Sequence, residues 1–284
     1  VIQRDRIMIV FAYDGSLHGG WVAHYAIRFA SRLTEPRLRL VHVDDGAIGA
    51  IELERRIARI AEEARLFGVR FEAEVVARGG LRVVDHLLAM QPEEGVLVSG
   101  MRSRPRHQAL LAGTVSAGLL ATARLPVVAL RVMHPGLLGQ PSSVLLPLAE
   151  RPASGRRAIP MLRLLGPELR QLHLLCVSEV PFWRHPLVSA AGAARRLGSA
   201  RACVMQVERE IEQALEPRRL EMDASLVVST DVAREIVLAS ARLRSHLVCL
   251  GASERSRSAR LLGTPIERVL HAASCDVAVY RSRV

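Results

Sequence analysis

The residues best suited to chemistry lie where apolar runs give way to glycine. Val96-Leu97-Val98-Ser99-Gly100 opens into a loop bearing Arg102, Arg104 and Arg106, which closes on Gly113-Thr114 ahead of a helical stretch. Backbone N–H groups with no side chains in the way, backed by the partial positive charge of a helix N-terminus, make such a loop a seat for phosphate oxygens. Guanidinium groups chelate the same oxygens, so Arg102 and Arg104 are candidates to reinforce the seat; the alternative is that they are solvated loop charges in an arginine-rich chain. Asp14-Gly15-Ser16 ends an earlier apolar run, where a carboxylate either serves a ligand or closes a turn.

The same loop recurs. Leu247-Val248-Cys249-Leu250-Gly251 leads past Arg255, Arg257 and Arg260 to Gly263-Thr264, and 263 − 113 = 150. The spacing onward also agrees: Arg131 follows Gly113 by 131 − 113 = 18 residues, and Arg281 follows Gly263 by 281 − 263 = 18. A period of this length predicts two copies of one domain, residues 1–137 and 138–284.

Stepping through the first copy, apolar runs at 6–13, 38–43, 69–76 and 95–99 and one beginning at Val127 read as strands. Between them Val22, Tyr25, Ala26, Phe29 and Leu33 recur at helical spacing, with Ser16 as a candidate N-cap; Leu53, Ile57, Ile60 and Ala64 mark a second helix that stops near Gly68. Val84, Leu87 and Leu88 mark a third, and a fourth begins at Gly113-Thr114. Strict alternation of strand and helix predicts an α/β fold, a doubly wound parallel sheet in each copy, with ligands at the carboxyl ends of the strands. The second copy repeats the plan, with strands at 144–148, 172–177, 224–228 and 247–250 and a helix from Asp231. It is longer between its second strand and its loop glycine: 251 − 177 = 74 against 100 − 43 = 57, an excess of 17 residues. That insertion is placed at about 181–202, around Trp183, as a partner-docking surface or an extended, self-packed helix.

Composition narrows the function classes. The 284 residues carry a net charge of +11, all 39 basic side chains being arginine, and the excess is spread over both copies, 18 Arg against 14 acids and then 21 against 14. Aromatics make up 4%, and no nucleic-acid recognition signature is present, so a dedicated nucleic-acid function is not expected. Arginines interrupt every apolar run before the roughly 18 residues a membrane span needs. The opening Val1-Ile2-Gln3-Arg4-Asp5-Arg6 does not read as a secretion signal, and a cytoplasmic location is expected. Cys176, Cys203, Cys249 and Cys275 form no Cys-x-x-Cys pair and the histidines are scattered, so neither a structural metal nor a disulfide framework is expected. Asp85-His86 reads as surface or satisfied core. No nucleophile–base pair, Gly-x-Ser-x-Gly elbow or Walker lysine is visible.

Together these residues look like two universal stress protein domains joined in tandem. That family's ATP-binding branch carries Gly-x2-Gly-x9-Gly-Ser/Thr from strand four into helix four, and the first copy reads Gly100-x2-Ser103-x9-Gly113-Thr114, with Ser103 in place of the middle glycine. The resemblance implies strand order 3-2-1-4-5, fifth strands associating across an intrachain pseudo-dimer, Asp14 at the ribose or adenosine part, and the backbone of Val43 at the adenine edge. The implied ligand is ATP, or ADP or AMP, with magnesium as a companion, and the implied role is stress-response regulation with at most slow ATP hydrolysis rather than enzymatic turnover. In the second copy Gly251, Gly263 and Thr264 are weaker candidates: Ala149-Glu150 stands where the family's Asp falls, and Glu254 replaces a loop glycine. A carboxylate about 4 Å from a phosphate charge costs roughly 4 kcal/mol at an effective dielectric near 20, so this copy is expected to be degenerate. The competing reading is a nucleotide-independent interaction scaffold or a transporter-associated regulatory domain. A homodimer and an unidentified protein partner stay open.

Overall fold

The computed structural model describes residues 7–101, 114–149, 153–180, 190–215, 220–252 and 265–282. Apolar strands and amphipathic helices alternate through the first half: β1 (Met8–Tyr13), α1 (Leu17–Ala30), β2 (Arg37–Asp44), α2 (Ala50–Leu66), β3 (Arg70–Ala77), α3 (Val83–Ala89), β4 (Gly95–Gly100), α4 (Val115–Thr122) and β5 (Val127–Arg131). The second half repeats them as β6 (Ser143–Leu148), α5 (Ala153–Leu165), β7 (Gln171–Glu179), α6 (Ala190–Leu215), β8 (Glu221–Ser229), α7 (Val232–Arg242), β9 (Leu247–Gly251), α8 (Pro265–Ala272) and β10 (Asp276–Arg281).

All ten strands join one sheet in the order β3-β2-β1-β4-β5-β10-β9-β6-β7-β8. Within each half the order is 3-2-1-4-5 and the pairs are parallel, so the halves are two doubly wound units. They meet through antiparallel β5 and β10, with Val279 opposite Ala129. Central strands such as β5 are buried along their whole length, whereas edge strand β3 is largely exposed and carries Arg70, Glu72 and Glu74, charges that discourage further pairing.

The helices divide by face. Buried side chains of α1, α2, α5 and α6 form one core that runs through both halves; those of α3, α4, α7 and α8 form the other. All four cysteines are buried and none is in a disulfide, as packing residues would be. The junction repeats its own contacts at the 150-residue period: Arg131 donates to the carbonyl of Ala273 at 3.0 Å, and Arg281 donates to that of Ala123. One contact has no such counterpart. Asp276, fully buried, accepts from the Tyr25 hydroxyl at 2.7 Å and from the N–H groups of Met133 and His134 at 2.7 and 2.8 Å, fastening the connection between the halves.

The second half has longer helices than the first. Helix α6 has 26 residues against 17 in α2, and α7 has 11 against 7 in α3. Val204, Val207 and Ile211 bury their side chains in the core, and α6 starts at Ala190, inside the interval where the insertion is expected. Trp183 lies outside the described residues.

Candidate functional site

At the carboxyl end of β1 the chain turns on Gly15, whose φ of +74° is a conformation glycine adopts without strain. Asp14 Oδ1 accepts from both the N–H and the hydroxyl of Ser16, at 3.0 and 2.6 Å. Ser16 in turn caps α1, its Oγ accepting from the Gly19 N–H at 2.9 Å. The turn is braced from behind by Arg56 of α2, which donates to the Gly15 carbonyl at 2.6 Å while its Nε holds Glu52 at 2.8 Å. Gly19 passes so close that a Cβ there would lie 2.4 Å from Asp14 Oδ1.

On the neighbouring strand, β4 ends at Gly100, and Thr114 caps α4 by accepting from the Ala117 N–H at 3.2 Å. The Ser116 hydroxyl donates to the Gly100 carbonyl at 2.6 Å, so strand end and helix start are tied directly. Between β1, β2, β4 and α4 lies a cavity of about 350 Å³. Its walls include Asp14, Val43, Gly100 and Thr114, four of the seven positions singled out in this half; Arg102, Ser103 and Gly113 lie outside the described residues.

Several wall residues carry no motif. Val83 and Leu87 of α3 supply an apolar side, and Asp45, beyond β2, a second carboxylate. His42 and Ser99 also line it, and each leaves a buried polar atom, Nε2 and Oγ, without a hydrogen-bond partner. Burial raises the Tyr13 pKa, against the neighbouring guanidinium of Arg56, so the hydroxyl stays protonated. The described walls thus hold two carboxylates and no cation. No spacing rule in the sequence marks His42, Ser99 or the α3 positions, because they come together only through strand order.

Asp85 and His86 belong to the surface, Asp85 paired with Arg82 at 2.8 Å and His86 Nε2 lying 2.7 Å from the Arg78 carbonyl. In the second half Gly251 ends β9 beside the Tyr280 ring, and Ala149 offers no carboxylate after β6. Glu150, Glu254, Gly263, Thr264 and the arginines at 104, 106, 255, 257 and 260 lie outside the described residues. Among the described residues no group of three or more metal-ligating side chains occurs, and no helix is long and apolar enough to cross a membrane.

Residues 150–281 match the sequence model of the universal stress protein family. No curated protein matches the chain. Among solved structures, a universal stress protein from Archaeoglobus fulgidus DSM 4304 superposes with a TM-score of 0.64 at 16% identity, over 96% of this chain and 95% of that one. A Pseudomonas aeruginosa UCBPP-PA14 protein assigned to the same family gives 0.62 at 16% identity, over 97% and 93%. The cytoplasmic domain of a prokaryotic cation chloride cotransporter gives 0.58 at 12% identity, over 97% and 95%. At such identities the likeness is one of fold.

Proposed function

We propose that the chain is a tandem universal stress protein, a regulator whose first half holds an adenine nucleotide. The family match falls on the second half, while the glycine loop in its fuller form belongs to the first; the common strand order of the halves supports reading both as copies of one domain. The observation that carries the nucleotide reading is the cavity where Asp14, Val43, Gly100 and Thr114 converge at the carboxyl ends of the strands. Its volume is near the lower end of the ~300–1,000 Å³ usual for small-molecule sites, which suits a nucleoside with its phosphates leaving toward α4.

Charge supports the same division. Asp14 and Asp45 suit the hydroxyls of a ribose and repel phosphate, so phosphate compensation falls to the N-terminus of α4, to Arg102 and Arg104, and to magnesium carried in with the nucleotide. Calorimetric titration of ATP, ADP and AMP, with and without magnesium, tests this on the parent chain and on Gly113→Asp and Gly263→Asp. One nucleotide per chain, lost only in Gly113→Asp, is the expected result. A parent chain that binds none of the three would overturn the reading and favour a nucleotide-independent scaffold or a transporter-associated domain.

A further inference from the structure

Far from the cavity, three side chains on β7 and β8 stand in the order of a nucleophilic site. The strand register sets His173 opposite Asp223 and Leu175 opposite Ser225, and the two-residue period puts 223 and 225 on one face. Ser225 Oγ lies 2.8 Å from His173 Nε2, and His173 Nδ1 lies 3.4 Å from Asp223 Oδ2. The other oxygen of Asp223, whose side chain is largely exposed, accepts from the Ala224 N–H at 2.8 Å. We propose that Ser225, His173 and Asp223 form an acyl-transfer site that hydrolyses small activated esters, with Ser225 as nucleophile, His173 as general base and Asp223 orienting the imidazole.

Four features support it. The imidazole is available as a base: burial lowers the His173 pKa from its ordinary value, Asp223 opposes that shift and Arg242 of α7 adds to it, so the ring is neutral at pH 7. The site is open on one side, because β8 is an edge strand. The Glu221 N–H and the Ser229 carbonyl both face β7, so by alternation the N–H of Leu226, next after Ser225, turns to the open edge, where a developing oxyanion could accept it. The first half puts a plain ion pair at the matching register, Arg39 with Glu72 at 3.6 Å, and Glu74 where Ser225 stands. Pairing of these strands therefore requires neither imidazole nor hydroxyl.

The chemistry closes with water alone. Ser225 Oγ bonds to the ester carbonyl carbon as its proton passes to Nε2 of His173 and the carbonyl π pair moves onto oxygen. When the C=O bond re-forms, the bond to the leaving alkoxide breaks and the imidazolium protonates it. Water then adds to the acyl carbon by the same route, releasing a carboxylic acid and restoring the Ser225 hydroxyl. One ester and one water become one acid and one alcohol.

The full chain, treated with a fluorophosphonate probe and mapped by mass spectrometry, is expected to carry the phosphonyl group on Ser225. Its hydrolysis of p-nitrophenyl acetate, above the buffer rate, is expected to fall at least about tenfold in Ser225→Ala and in His173→Gln, with melting temperatures recorded for both. In the parent the rate is expected to reach half its plateau below about pH 6.5. No label on Ser225, or a folded Ser225→Ala that keeps the parent rate, overturns the proposal. The map on the parent decides alone if a variant does not fold. Neither result bears on nucleotide binding in the first half.

Discussion

Gly19 abuts the site proposed to hold a nucleotide, from outside the motif. A methyl group there would press on Asp14 Oδ1 and the Tyr13 ring, so Gly19→Ala is expected to displace the carboxylate and weaken ATP binding at least about tenfold, while α1 itself gains helix propensity. Titration beside a melting curve separates the two effects. Asp231 offers a pH test: hydrogen bonding from Arg268, then from the Arg234 N–H, lowers its pKa below the ordinary 3.8. A depressed carboxylate contributes stability that is present above the unfolded value and lost as pH falls through the folded one. Acid titration of stability should therefore show a loss below about pH 4 in the parent that is smaller in Asp231→Asn. Caps of this kind were legible in the sequence because Asp231 and Ser16 act on N–H groups three residues away. Ser225 and His173 are 52 residues apart, and nothing local announces their contact.

Helix interfaces separate two glycines that a propensity scale treats alike. In α5 a Cβ on Gly155 would sit 2.6 Å from Val207 of α6, so Gly155→Ala trades about 1 kcal/mol of helix propensity against the roughly 1–3 kcal/mol of overpacking and is expected to lower the denaturation midpoint. In α1, Gly20 has nothing within 4 Å, and Gly20→Ala is expected to raise it by up to about 1 kcal/mol. The end of α2 was readable for a similar local reason. Gly68 takes φ +66°, its N–H bonds to the Arg65 carbonyl at 3.0 Å, and the Val69 N–H bonds to that of Ala64 at 2.9 Å. The extra residues of the second half were legible only to an interval, because a length difference between copies fixes no position within it. Helix α6 absorbed much of the difference by burying further turns against α5.

The two halves unfold together if the core they share governs stability, since one apolar cluster runs from Phe29 in α1 to Leu162 in α5. Asp276 is the sharpest test. Asp276→Ala leaves the Tyr25 hydroxyl and two backbone N–H groups unsatisfied, at about 1–3 kcal/mol each, so a loss of at least ~3 kcal/mol in a single denaturant transition is expected; Asp276→Asn, which keeps an acceptor, should lose less. The duplicated spacing made the ten-strand plan legible, and the resemblance supplied the meeting of the fifth strands. The carboxylate that fastens the connection was not legible, its partners lying more than a hundred residues away. The antiparallel pairing of β5 with β10 also gives the molecule direction. Because the strands of one half run against those of the other, the carboxyl ends of β1 and β4 and those of β6 and β9 point to opposite rims of the sheet. A flat partner laid against one rim cannot reach the other, so under the nucleotide reading proposed above the rim that a partner grips decides whether it can sense the ligand.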